Sequence, residues 1–173
     1  MATDDKRVLL VEDTLTQAML YQHMLEKRGF QVKIARSGKQ ALEQIEKEKP
    51  SVVLTDINMP EMNGFELANA IKSNGTTSDI IVILLTTTLS PEAIFDCINS
   101  GADEINLKGL KEEAFLDLME CSVNRQIEFE GGATPIKARV PLNGNLTEVN
   151  TNPQKGLRLL LSLYDLLRKV QEN

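Results

Sequence analysis

The sequence predicts an α/β protein, a doubly wound sheet of five parallel strands followed by a strand pair and a helix. Three observations carry this. Short apolar runs rich in β-branched residues recur along the first two thirds of the chain, among them RVLLV, SVVLT and IIVILL. Stretches with apolar residues at helical spacing separate them, and several of the runs stop at an acid, a hydroxyl or a lysine beside turn-forming residues.

Arg7 to Val11 is the first strand, and it runs straight into Glu12 and Asp13. Thr14 or Thr16 can cap the next helix, in which Ala18, Tyr21 and Leu25 recur at helical spacing before Gly29 stops it. Phe30 to Ala35 alternates apolar with polar residues and is a second strand; Lys39 to Lys49 is a helix ended by Pro50. Val52, Val53, Leu54 and Thr55 then form a strand buried on both faces, which ends at Asp56. Asn58, Pro60, Asn63 and Gly64 make the stretch after Asp56 a loop. A short helix carries Leu67, Ala68 and Ile71, and SNGTTS is a loop. Ile80 to Leu85, the most apolar strand, ends in Thr86, Thr87 and Thr88. Ser90-Pro91 opens a helix that Gly101 closes; Ile105 to Leu107 is a brief strand ending at Lys108; Lys111 to about Asn124 is a fifth helix burying Phe115, Leu118 and Met119.

Composition bounds the function. With 173 residues, 42% of them hydrophobic and 25% charged, the chain suits one packed domain plus an appendage. A net charge of −6 and a pI near 4.9, with Lys and Arg scattered singly, argue against a nucleic-acid partner. No apolar run approaches the ~20 residues that span a bilayer. The start MATDDKR is polar where a signal peptide needs an apolar core, so a cytoplasmic location is expected. Cys97 and Cys121 fall in helical patterns without metal-ligand spacing and are expected to be buried thiols.

In open α/β sheets ligands bind at the C-terminal edge of the strands. That edge should collect Glu12, Asp13, Asp56, Thr86 and Lys108: three carboxylates, a hydroxyl and an ammonium. Three carboxylates so close need a counter-ion, and a hard oxygen-ligated dication such as Mg²⁺ fits. One carboxylate is then free to act as a nucleophile in phosphoryl transfer, where Mg²⁺, Lys108 and Thr86 would neutralise phosphoryl oxygens. Asp56, alone at its strand end, is the expected acceptor.

Over residues 5–125 the chain resembles the receiver domain of bacterial response regulators, on VLLVED, TDINMPEMNG, LLTT and SGADEINLK. The resemblance implies a flavodoxin-like sheet of order 2-1-3-4-5. It implies phosphorylation of Asp56 from a phosphohistidine, with Mg²⁺ held by Asp13, Asp56 and the Asn58 backbone carbonyl beside Glu12. Thr86 would be the switch hydroxyl and Lys108 the lysine of the site. Three positions depart from the family: Gly109 stands where proline is usual, Ile105 where an aromatic is usual, and Thr87 where a small residue is common. A branched aliphatic at 105 has no ring to swing in behind Thr86. His23, the only histidine, sits in the first helix as a surface or boundary residue, which puts the phosphoryl donor, a histidine kinase or phosphotransfer protein, on another chain or outside this sequence.

The division expected is a receiver over residues 1–125, a strand pair and linker over 126–152, and an amphipathic helix over 153–173. Ile127 to Glu130 and Ile136 to Val140 would pair across GGATP, with Gly131-Gly132 as the turn and a loop on to Asn152. In the last helix Leu160, Leu163, Leu167 and Val170 follow a 3-4-3 spacing flanked by Leu157, Leu161 and Tyr164. Such a helix either folds back on its own domain or pairs with a second copy to make a homodimer. The tail is similar to the segment following receivers at the front of hybrid sensor kinases, as in a piece of a longer chain. Two other functions compete: an unphosphorylated pseudo-receiver that serves as an interaction domain, and a phosphatase with an aspartyl nucleophile. The phosphatase would need an acid two residues after Asp56, where Asn58 stands.

Overall fold

The computed structural model describes residues 6–124, 136–142, 145–151 and 153–171. Strands β1 (Arg7–Val11), β2 (Gln31–Ala35), β3 (Val52–Asp56), β4 (Ile81–Thr86) and β5 (Glu104–Leu107) form one parallel sheet in the order β2-β1-β3-β4-β5. Between and after them run α1 (Leu15–Lys27), α2 (Gly38–Lys47), α3 (Gly64–Ser73), α4 (Pro91–Ser100) and α5 (Glu112–Asn124). Each expected element of this part is present, with ends shifted by a residue or two.

Strand alternation divides the core into two layers. Leu9, Val11, Val53, Val82, Leu84 and Ile105 pack with Ala41, Ile45, Leu67, Ile71 and Cys97 of α2, α3 and α4. Val8, Leu10, Val52, Leu54, Ile83 and Leu85 pack with Ala18, Tyr21 and Leu25 of α1 and with Phe115 and Met119 of α5. Every residue of β3 is buried, as its apolar run requires. Each fully buried Leu or Ile contributes about 1.5–3 kcal/mol, so these layers hold the strand ends rigidly. Local signals agree: Ser37 and Ser90 cap α2 and α4, Asn63 and Glu66 form a capping box on α3, and Gly101 closes α4 at φ 77°.

The last third corrects the expectation. Strand β6 (Ile136–Leu142) pairs antiparallel with β7 (Asn145–Thr151), within the run expected to be a loop. Asn143-Gly144, the stronger hairpin dipeptide, is the pair that lies between them in sequence, not Gly131-Gly132. The expected strand Ile127 to Glu130 and the Gly131-Gly132 turn lie outside the described residues.

Helix α6 (Pro153–Gln171) folds back along β5, the edge strand of the sheet, and against α5. The docked face is Leu159, Ser162 and Leu166, all buried, with Leu163 half-buried beside them. The expected 3-4-3 seam is therefore split: Leu167 and Val170 remain 54% and 41% exposed. The side chains of Leu157, Leu160, Leu161 and Tyr164 lie outside the described set. The helix rests on a polar patch as well as an apolar one, since Arg158 pairs with Glu104 of β5 at 2.9 Å, and Ser162 donates to the same carboxylate at 3.2 Å. That patch carries no hydrophobic signal, so leucine spacing alone does not reveal it. Cys97 is buried as expected, but Cys121 is exposed, because it lies on the side of α5 turned from the sheet.

Candidate functional site

Strand order brings the predicted residues to one edge. Because β1 pairs with β3, Val11 lies opposite Thr55, and the acids that end each strand become neighbours. The loop after Asp56 is folded tightly back: Gly64 N–H donates to the Ile57 carbonyl at 2.9 Å, and a Cβ on Gly64 would sit 2.5 Å from the Asp56 carbonyl oxygen. Only glycine permits that approach. The Arg36 guanidinium donates from Nε to the Asp13 carbonyl at 3.1 Å and ties the β1 end to the end of β2.

The centre of the site is the Lys108 ammonium. It lies 2.8 Å from Glu12 Oε2 and 2.7 Å from Asp56 Oδ2. Burial pulls its pKa down, but hydrogen bonds to Asp56 and Glu12 outweigh this and hold it above the ordinary lysine value. Glu12 is 1% exposed and Asp56 7%, while Asp13 is partly exposed at the rim. One carboxylate oxygen from each of Glu12, Asp13 and Asp56 can be chosen so that all three lie within 4.8 Å of one another. Three carboxylates facing one ammonium leave two negative charges unmatched. An all-oxygen donor set with that surplus fits a hard divalent cation, and Mg²⁺ with retained waters meets the description.

The response regulator receiver domain model matches residues 8–120. The chain belongs to the response regulator receiver family. Of the relatives, a two-component response regulator of rice (Oryza sativa subsp. indica) is 30% identical over 108 residues, 62% of this chain and 82% of that protein. Among solved structures, the receiver domain of a signal transduction histidine kinase from Syntrophus aciditrophicus superposes with a TM-score of 0.64 at 29% identity, covering 72% of this chain and 97% of that one. The chemotaxis protein CheY4 of Vibrio cholerae gives 0.63 at 30% identity, covering 66% and 95%. This receiver is thus a two-component signalling module, and the family match ends before β6, β7 and α6.

One feature of the receiver's site differs from the simplest expectation. Thr86 is buried at the end of β4, but its hydroxyl donates to the Thr88 carbonyl at 2.8 Å and accepts from Thr88 N–H at 3.2 Å, so it is turned into its own loop. Ile105 is fully buried within the α2–α4 layer, a fixed core residue. Asn58 donates its backbone N–H to Asp56 Oδ1 at 3.2 Å, and Thr87 is exposed at the rim. His23 is exposed on α1. Sequence reasoning missed Gln17, whose amide oxygen accepts from Lys108 Nζ at 3.0 Å, and Tyr21, whose phenol sits beside the same lysine. A signal existed: residues 17 and 21 share one face of α1 at four-residue spacing.

Proposed function

We propose that this receiver accepts a phosphoryl group on Asp56, with Mg²⁺ held by Glu12, Asp13, Asp56 and the Asn58 backbone carbonyl. The observation that carries the proposal is the Lys108 ammonium lying between Glu12 and Asp56 in a pocket with surplus negative charge. Mg²⁺ bound there would draw charge from the phosphoryl oxygens. A carboxylate oxygen of Asp56 forms the new bond to phosphorus as the bond to the donor's imidazole nitrogen breaks, the nitrogen keeping the electron pair. Lys108 then meets a phosphoryl oxygen in place of the Asp56 oxygen it now holds. Thr86 reaches the phosphoryl group once its hydroxyl leaves Thr88. The donor is a histidine kinase or phosphotransfer protein in trans.

Residues 1–125 carry this chemistry, 126–152 link, and 153–173 form the output helix. Strand β5 runs directly into Lys108 and also carries α6, so a shift of the lysine is passed to the helix dock. Exposed Leu167 and Val170 offer a face for a second copy when the helix rearranges. Incubation with acetyl phosphate and Mg²⁺ is expected to add one phosphoryl mass, and Asp56→Asn to add none; uptake by Asp56→Asn would exclude the assignment.

A further inference from the structure

We propose that Gln17 is a positioning residue for Lys108: its amide oxygen is the acceptor on the ammonium that neither Mg²⁺ nor the phosphoryl group claims, and it keeps the lysine in place when both are bound. The proposal rests on the reading of Asp56 as the phosphoacceptor and of Lys108 as the cation that meets the phosphoryl group.

An ammonium has three N–H donors and no acceptor. Lys108 Nζ has one oxygen for each: Asp56 Oδ2 at 2.7 Å, Glu12 Oε2 at 2.8 Å and Gln17 Oε1 at 3.0 Å. Since the ammonium can only donate, the Gln17 amide must turn its oxygen, not its nitrogen, toward it. The three acceptors differ in what else is asked of them. Asp56 gives an oxygen to phosphorus, and Asp56 and Glu12 both belong to the carboxylate trio that fits a divalent cation. Gln17 is neutral, lies outside that trio, and makes no other hydrogen bond among the described residues. Loading the pocket therefore takes two of the lysine's three acceptors into other work and leaves the third.

The lysine has need of that tether. Its own N–H donates to the Thr86 carbonyl at 2.7 Å, which ties the segment to the sheet on one side. On the other side Gly109 is exposed, has φ +80°, and a Cβ built on it would find no atom within 4 Å. Gln17 stands on firmer ground. It lies near the start of α1 beside Ala18, which is fully buried in the layer of Leu10 and Leu54, so the backbone from which the amide reaches is held by the core. A carboxylate at this position would also hold the ammonium, but its charge would compete with the phosphoryl oxygens for it; an amide holds it without that competition. Gln17 acts through the lysine and bonds neither Glu12 nor Asp56.

The test is a double-mutant cycle on the full chain, reading the rate of phosphoryl uptake from acetyl phosphate with Mg²⁺ by intact mass. A small donor is chosen because Gln17 is exposed, where a protein donor could touch it directly. Gln17→Met keeps the length and helix propensity of the side chain and removes the acceptor. It is expected to slow uptake by roughly two- to tenfold, the range spanned by one net hydrogen bond. In a Lys108→Ala background the same substitution is expected to change nothing, a result that a merely structural role would not give. Equal slowing in both backgrounds, or no slowing in the unsubstituted background, would overturn the proposal. A second readout needs no phosphoryl group: the side-chain amide signals of Gln17 in the NMR spectrum should shift on Lys108→Ala, and unmoved signals would overturn the proposal however slowly that variant takes up phosphoryl groups. Lack of uptake by the unsubstituted chain would instead overturn the Asp56 reading, and this proposal with it. Uptake by the unsubstituted chain with an unaffected Gln17→Met variant removes the Gln17 role alone.

Discussion

Two of the places where this molecule sets a buried carboxylate against a cation are built for opposite ends. At the strand-end pocket, Glu12 and Asp56 share one lysine, with Asp13 beside them, so acid outnumbers base. At the seam between β5 and α6, Glu104, 1% exposed, meets the Arg158 guanidinium at 2.9 Å, a hydrogen bond from the Ser122 hydroxyl and another from Ser162. There the charge is matched within the protein and a helix closes over it. The pocket opens onto loops and keeps a surplus that only something from outside can neutralise. Unmatched charge at a loop edge marks a ligand site; matched charge under a helix marks a clamp. The clamp is imperfect, since the amide of Asn106, also 1% exposed and two residues along β5 from Glu104, makes no hydrogen bond among the described residues. Leaving such a group unbonded costs about 1–3 kcal/mol.

Breaking the clamp should have the largest effect on stability. Arg158→Met leaves Glu104 buried without its cation, a change that costs about 3–5 kcal/mol when the site cannot rearrange. Because α6 can lift and hydrate the acid, the loss is expected as undocking: faster amide exchange along α6, a lower Tm, and a smaller effect on residues 6–124. Partial recovery with Glu104→Gln in the same chain would support charge mismatch as the cause; unchanged α6 exchange in Arg158→Met would contradict the clamp. Next in size is Gly64→Ala, which forces a methyl against the Asp56 backbone and should cost about 1–3 kcal/mol by denaturant unfolding, with phosphoryl uptake lost. Lys108→Ala should tighten Mg²⁺ binding severalfold by calorimetry while slowing phosphoryl uptake, since the surplus of acid grows. Arg158→Met should create no Mg²⁺ site.

The smallest effect is one of pH. Asp117 on α5 accepts from the Lys169 ammonium of α6 at 3.0 Å; this bond, reinforced by Arg28, holds its pKa below the ordinary 3.8. A depressed carboxylate stabilises the docked form at pH above the unfolded value and loses that contribution as pH falls through the folded one. Docking of α6 should therefore weaken modestly only in acid below pH 3.8. The pair is largely exposed, so salt should weaken it too. Cysteine labelling reports the same comparison: Cys121 should react in the native protein, while Cys97, whose thiol burial pushes up to about 12, should react only on unfolding.

The sheet and the pocket acids were legible because their causes are local and periodic. Apolar β-branched runs make buried strands, and the residue that stops each run is placed at the edge by the strand itself. Asp56, Glu12, Asp13 and Lys108 could be brought together on that reasoning alone. What could not be read was the partner of each polar group. Gln17 lies on a helix whose apolar periodicity drew attention to its core face, and its bond from Lys108 depends on a loop conformation that no spacing encodes. The polar part of the α6 dock could not be read for a related reason. Arg158 and Ser162 are chosen by Glu104, a buried acid in a four-residue strand, and leucine spacing carries no trace of it.

The distinction between surplus and matched charge is tested most directly by titrating Mg²⁺ into the protein while monitoring backbone amides by NMR. Amides of Asp13, Asp56, Asn58 and Lys108 should shift together at millimolar Mg²⁺ and those of Glu104, Asn106 and Ser162 should not, with the shifts weakened by Asp56→Asn. An unresponsive pocket, or equal shifts at the β5–α6 seam, would contradict it.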